Sequence, residues 1–122
     1  IFGSLNMKYR DIYSKCKLVL TDYSSAVFDF AYLRKPVIYT QFDQEEFFAG
    51  EHVYTKGYFD YGRAGFGEVE TDLEGTVNRI IEYMENGCEL KDKYRQRIDN
   101  FYAFNDRNNC ERVYQKIMEL NP

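Results

Sequence analysis

Apolar positions along the first forty residues switch between helical spacing and short unbroken runs. Leu5, Tyr9, Ile12, Tyr13 and Cys16 recur at helical spacing, which predicts a helix over residues 6–15. Leu18-Val19-Leu20 is an unbroken apolar run and predicts a strand over 17–21, buried on both faces. That run stops at Thr21-Asp22-Tyr23-Ser24-Ser25, where Asp22, Ser24 and Ser25 are residue types that cap helix N-termini. A helix over about residues 24–33 follows, apolar nearly all round except for Asp29, the pattern of a helix held between layers. The residue before a proline avoids the helical region, so Arg34-Lys35-Pro36 ends it. Pro36-Val37-Ile38-Tyr39-Thr40 then predicts a second strand. Strand, helix and strand make one βαβ unit with a parallel pair.

Residues 41–68 are less regular. Asp43 to Phe48 fits one or two helical turns, after which Gly50, Gly57, Gly62, Gly65 and Gly67 interleave with Tyr54, Tyr58, Phe59, Tyr61 and Phe66. Long irregular segments are often functional, although packing onto the body explains these aromatics with less. The C-terminal half reads as three helices. Thr71-Asp72-Leu73-Glu74 matches a capping box led by Thr71, and Leu73, Val77, Ile80, Ile81 and Met84 form an apolar stripe that ends before Gly87, a natural C′ residue. Leu90, Tyr94, Ile98, Phe101 and Tyr102 mark a second helix. Asn105 or Asp106 caps a third, with Cys110, Val113, Tyr114, Ile117 and Leu120 inward. All three stripes are expected to be core. Lys91, Lys93, Arg95 and Arg97 read as a solvated face, with an acidic membrane surface as the lesser alternative. The pattern as a whole is α/β: a small parallel sheet followed by C-terminal helices.

Composition narrows the class. At 122 residues the chain is one domain with a modest core, and a chain that begins at Ile1 reads as a piece of a longer protein. Its net charge of -4 argues against a general nucleic-acid binder. Cys16, Cys88 and Cys110 are odd in number and far apart, which fits free thiols in a reducing compartment and no metal site. No apolar run approaches a membrane span, and no signal peptide is visible.

The candidate chemistry lies in the turn after the first strand. In open α/β sheets such turns gather at the carboxyl edge, where ligands bind. The first helical N–H groups there are free, the helix dipole favours an anion, and the Ser24 and Ser25 hydroxyls can hold phosphate oxygens. A plain helix cap explains the same residues, and on these residues alone it is the simpler reading. Asp29, within an apolar helix, needs a partner: water, a neighbouring group or a ligand. His52 is the sole histidine, with no Ser, Cys or second histidine at a telling distance, and reads as a surface residue.

The run from Leu18 to Phe30, Leu-Val-Leu-Thr-Asp-Tyr-Ser-Ser-Ala-Val-Phe-Asp-Phe, resembles the signature of the CDP-glycerol glycerophosphotransferases. So do Lys35-Pro36-Val37-Ile38-Tyr39, Phe42-Asp43, Gly57-Tyr58-Phe59-Asp60-Tyr61 and Gly67-Glu68-Val69, in the same order along nearly the whole chain. These enzymes are the teichoic acid polymerases and primases of Gram-positive cell walls. The resemblance implies a GT-B fold of two Rossmann-like domains, with residues 1–122 as the C-terminal part of the CDP-glycerol-binding domain. It implies attack by a hydroxyl of a polyol phosphate chain or lipid-linked primer on the β-phosphorus of CDP-glycerol, with CMP leaving. Asp22, Ser24, Ser25 and Asp29 are then substrate-binding residues, and no cofactor or metal is implied. The family's catalytic histidines lie upstream of the matched segments and His52 is outside any matching motif, so the chain alone is expected to be inert. The implied partners are CDP-glycerol and the acceptor, with membrane association through the longer protein and no nucleic acid. The implied location is the cytoplasm or the cytoplasmic face of the membrane. Self-association, or partial disorder near 41–68, is expected of a half-domain. Transferases of ribitol phosphate share the signature, and a nucleotide-sugar GT-B transferase or a non-catalytic binding module are the competing readings.

Overall fold

β2 (Val37–Thr40) is the centre of the architecture, and its neighbours on both sides run in its own direction. A computed structural model of the chain describes residues 8–49 and 59–120. In chain order the elements are α1 (Tyr9–Lys15), β1 (Val19–Thr21), α2 (Ala26–Tyr32), β2, α3 (Gln44–Phe48), α4 (Tyr61–Ala64), β3 (Gly67–Glu70), α5 (Leu73–Glu85), α6 (Asp92–Phe101) and α7 (Asn109–Leu120). The sheet order is β1-β2-β3, all parallel, with Val19 opposite Val37 and Val37 opposite Gly67. The expected α/β class, with a parallel pair from the two apolar runs, is what the chain forms.

Strand alternation divides the sheet into two faces. Val37 and Tyr39 lie on one, where Val19, Val27, Phe30, Ala31 and Phe66 join Leu90, Tyr94 and Ile98 in a single buried cluster. α2 and α6 therefore cover this face. Ile38, Glu68 and Glu70 project from the other, and α5 lies there, since Arg79 donates to Glu70 at 2.8 Å. Burial alone pushes the Glu68 carboxyl up. Hydrogen bonds from Lys91 and Tyr94, with the charges of Lys91 and Lys93, outweigh it and hold Glu68 below the usual carboxylate range.

Several expectations need correction. Among the described residues β1 is an edge strand, and Leu20 is exposed rather than buried on both faces. β3 begins at the end of the stretch read as irregular and runs on to Glu70. It pairs only because Gly67 lets the chains close up: a Cβ there would stand 1.9 Å from the Val37 carbonyl oxygen. Residues 41–49 and 59–68 contain α3, α4 and the start of β3, while His52 and the rest of residues 50–58 lie outside the described residues. Asp72, not Thr71, caps α5, its carboxylate accepting from the Gly75 N–H at 2.7 Å.

The apolar stripes of α5 and α7 are not core in this chain. Leu73, Val77, Ile81 and Met84 face outward on α5. The sheet side of α5 carries Thr76, Arg79 and Tyr83 instead, because it must meet two glutamates of β3. On α7, Val113, Tyr114, Ile117 and Leu120 are each more than half exposed. α7 is tied at its start by Arg112 bridging to Asp106 at 2.8 Å, and Asp106 in turn accepts from the Tyr32 hydroxyl through its backbone oxygen. No helix among the described residues is long and apolar enough to cross a membrane.

Two helix ends wind left-handed. Gly87, at φ 74, closes α5 as expected: its N–H donates to Met84, and the next N–H, of Cys88, to Tyr83. Arg34, at φ 57, does the same for α2 without being glycine, and its guanidinium pairs with Asp99 of α6 at 2.6 Å. Nothing stands within 4 Å of a Cβ at Gly87, so Gly87→Ala meets backbone strain alone. It is expected to cost about 1 kcal/mol in a denaturant melt.

The buried tyrosines give a second expectation. Burial pushes Tyr83 and Tyr102 up to about 12, and raises Tyr39 and Tyr94 further. The fold favours the neutral phenol, so this stabilisation is full below the unfolded value of about 10 and is lost as pH rises toward 12. Tyrosinate absorbance and loss of far-ultraviolet dichroism should therefore rise together in an alkaline titration above about pH 10. Tyrosine ionisation complete at pH 10 with the fold intact would contradict this.

Candidate functional site

Three parallel strands bring three polar turns to one edge of the sheet. Asp22-Tyr23-Ser24-Ser25 follows β1, Gln41-Phe42-Asp43 follows β2, and Thr71-Asp72 follows β3. Side chains and backbone lace the edge together. The Thr40 hydroxyl donates to the Thr21 carbonyl at 3.3 Å, and the Gln41 N–H donates to the Glu70 carbonyl at 2.9 Å. Tyr23 links the first turn to the second. Its ring stacks on Phe47 of α3 with centroids 3.6 Å apart, and its hydroxyl donates to Asp43 at 3.2 Å. Burial and that hydrogen bond push the Tyr23 phenol up to about 12.

Asp22, Ser24 and Ser25 sit together, all exposed. Asp22 accepts from the Ser24 N–H at 3.1 Å, and the Ser24 hydroxyl oxygen accepts from the Ala26 N–H at 3.3 Å. The Val27 and Phe28 N–H groups donate to the Ser24 and Ser25 carbonyls. This corrects the expectation of free helical amides, because the chain turns tightly before α2 and spends them locally. α2 is also shorter than expected, starting at Ala26 with Ser25 as its N-cap. What the turn offers an anion is hydroxyl protons: Ser24 has its O–H left to donate, and the Ser25 side chain makes no capping bond.

Asp29 lies one turn further along α2 and faces elsewhere. It is exposed, not enclosed, and accepts from the Tyr13 hydroxyl of α1 at 3.0 Å. Burial first, then the Asp29 carboxylate, raise the Tyr13 phenol. Asp29 also borders an open cleft of about 440 Å³ lined by Phe28, Tyr32, Tyr102, Ala103, Phe104 and Asn109. The structure thus groups three of the four sequence candidates and sets Asp29 beside an aromatic cleft. Sequence reading missed Tyr23 as the tie between turns, and Gln41. The available signal for both was position: each directly follows or nearly follows a strand end at the carboxyl edge.

A parallel sheet with polar turns gathered at its carboxyl edge is the arrangement of a Rossmann-like unit. The chain belongs to the CDP-Glycerol:Poly(glycerophosphate) glycerophosphotransferase family, whose model matches residues 2–119. It is 40% identical over 120 residues to the minor teichoic acid biosynthesis protein GgaB of Bacillus subtilis (strain 168), covering 98% of this chain and 13% of that protein. It is 26% identical over 110 residues to the teichoic acid poly(glycerol phosphate) polymerase of the same organism, covering 90% of this chain and 14% of that protein. Among solved structures, the wall teichoic acid polymerase TagF matches with a TM-score of 0.60 at 20% identity, over 92% of this chain and 28% of that one. The chain therefore spans about an eighth of the curated relatives it matches, and the TagF likeness shows the fold.

The tie between the turns is testable. Tyr23→Phe keeps the stack on Phe47 and loses the bond to Asp43, an expected cost of roughly 0.5–1.5 kcal/mol. Tyr23→Ala should cost more, by a further 0.5–1.5 kcal/mol or so for the aromatic pair. It should also speed amide hydrogen exchange across Gln44–Phe48. Equal melts for the two variants would show that the stack carries nothing.

Proposed function

We propose that this chain is the donor-binding part of a longer glycerophosphotransferase, the C-terminal portion of its CDP-glycerol-binding GT-B domain. The carrying observation is the Asp22–Ser25 turn of the family-matched chain, set at the carboxyl edge of a parallel sheet with two serine hydroxyls exposed. The reaction is phosphoryl transfer. A hydroxyl at the end of a teichoic acid chain or lipid-linked primer attacks the β-phosphorus of CDP-glycerol. The bond from that phosphorus to the bridging oxygen breaks, its electron pair leaves with CMP, and the hydroxyl proton passes to a base. Such transfers depend on positioning and charge stabilisation. Ser24 and Ser25 donate to pyrophosphate oxygens, and Asp29 holds a hydroxyl of the donor beside the aromatic cleft. The turn supplies one carboxylate, Asp22, and no cation. The base and the positive charge that offsets the pyrophosphate therefore come from other parts of the longer protein. In this reading that protein works in the cytoplasm or on the cytoplasmic face of the membrane, where an activated cytidylyl donor and a lipid-linked acceptor meet.

The test uses the full-length parent. Ser24→Ala with Ser25→Ala removes two donors to a charged group, each worth roughly 1.5–3 kcal/mol. kcat/KM for CDP-glycerol should fall by about tenfold or more, with acceptor KM little changed. If the serines serve α2 alone, the double variant loses about 1 kcal/mol of stability and the folded enzyme releases CMP at the normal rate. The 122-residue chain, assayed beside it, should release no CMP above background.

A further inference from the structure

Among the described residues at the carboxyl edge, Gln41 is the one whose burial the fold itself does not account for. It is 1% exposed. Its backbone N–H is spent on the Glu70 carbonyl, and its side-chain oxygen accepts from the Gln44 Nε2 at 2.9 Å. Its own Nε2 is buried with no partner. A buried N–H without an acceptor is destabilising, whereas an apolar side chain of similar size in the same place is not. The neighbouring core has no use for the amide: Tyr39 and Val37, two and four residues before it on the same face, are packed among apolar side chains.

The position explains what the amide is for. Strand alternation puts Gln41 on the face over which α2 begins, at the same edge as the Ser24–Ser25 turn. Gln44 pins the amide by its oxygen, which leaves the NH2 able only to donate. Gln44 is itself exposed, so the amide sits one hydrogen bond in from the surface. Among the described residues the other buried side-chain polar atom without a partner, the Tyr83 hydroxyl, belongs to α5 on the opposite face of the sheet and shares none of this.

We propose that Gln41 is a specificity-determining residue of the donor site, its Nε2 donating to an oxygen of the bound donor, either a pyrophosphate oxygen or a polyol hydroxyl. The proposal rests on the donor-site reading above. An uncharged donor suits either oxygen and adds no charge to be neutralised before the donor arrives.

The experiment compares the full-length parent with its Gln41→Met and Gln41→Leu variants, using CDP-glycerol as donor and CDP as competitive inhibitor. Both variants should keep or raise the thermal midpoint, since each removes a buried donor that lacks an acceptor. Both should raise the KM for CDP-glycerol about three- to tenfold and change kcat less. Parallel weakening of CDP inhibition would assign the contact to the pyrophosphate. Unchanged CDP inhibition with raised KM would assign it to the polyol. Unchanged KM in both variants would overturn the proposal. So would a lowered midpoint in both, because the amide would then already be satisfied within the fold. A wild-type parent that does not turn over CDP-glycerol would remove the donor-site reading itself, whereas an active wild type with unaffected variants would remove Gln41 alone.

Discussion

β2 is hydrogen-bonded on both edges, and Val37, Ile38 and Tyr39 are wholly shielded from water. Both neighbouring strands take their register from it. β3 comes so close that Gly67 lies against the Val37 carbonyl, and the Phe66 N–H just before it donates to the Tyr39 hydroxyl at 3.2 Å. That phenol is buried, and here its oxygen satisfies a backbone group that would otherwise be stranded in the core. A change in this one strand would move the ends of all three, and with them every turn at the carboxyl edge.

The edge that results is polar and predominantly acidic. Asp22, Asp43, Glu70 and Asp72 all lie at or beside the three turns, and among the described residues Glu70 alone of these is held by a nearby cation, Arg79, at short range. An anion approaching such an edge meets the Ser24 and Ser25 hydroxyls but also repulsion. The arrangement is suited to holding a ligand in register once positive charge is supplied from another part of a longer protein, and poorly suited to binding anions by itself. The charged ladder behind β3, from Glu68 through Lys91 to Glu82 and Arg79, fastens α5 and α6 to the sheet without facing the turns.

Those parts of the fold governed by local pattern were readable from the chain. The two apolar runs became β1 and β2, the residues between them became α2, and the turn that joins them sits where a βα turn should. Gly87 closes α5 as its position suggested. β3 was not readable because Gly67-Glu68-Val69-Glu70 has no apolar run to show: its glutamates are paired with Lys91 and Arg79, partners that become neighbours only in the folded chain. The helix stripes misled for a related reason. Periodicity shows that a helix has an apolar face, not which neighbour that face meets, and on α5 the sheet is met by Thr76, Arg79 and Tyr83 instead. Gln41 and the spent amides of the Ser24–Ser25 turn depend on atomic contacts that no residue spacing encodes. The substrate-binding roles of Asp22, Ser24, Ser25 and Asp29 came from the family signature. The geometry gives the first three one setting and Asp29 another.

The order of pairing along the sheet also orders its assembly. Strand order follows chain order, and the β1–β2 pair closes a shorter loop than β2–β3. Loop-closure entropy therefore favours the β1-α2-β2 unit as the first piece to form during synthesis. Tyr23 is already present in that unit, but its stacking partner Phe47 emerges later, and the cover provided by α6 later still. The nascent chain thus holds the Asp22–Ser25 turn in place on a half-covered sheet, with β2 open along one edge until Gly67 arrives to pair with it. An unpaired edge of this kind invites other strands, and glycine, free of a side chain, is the residue that can dock there without first clearing space.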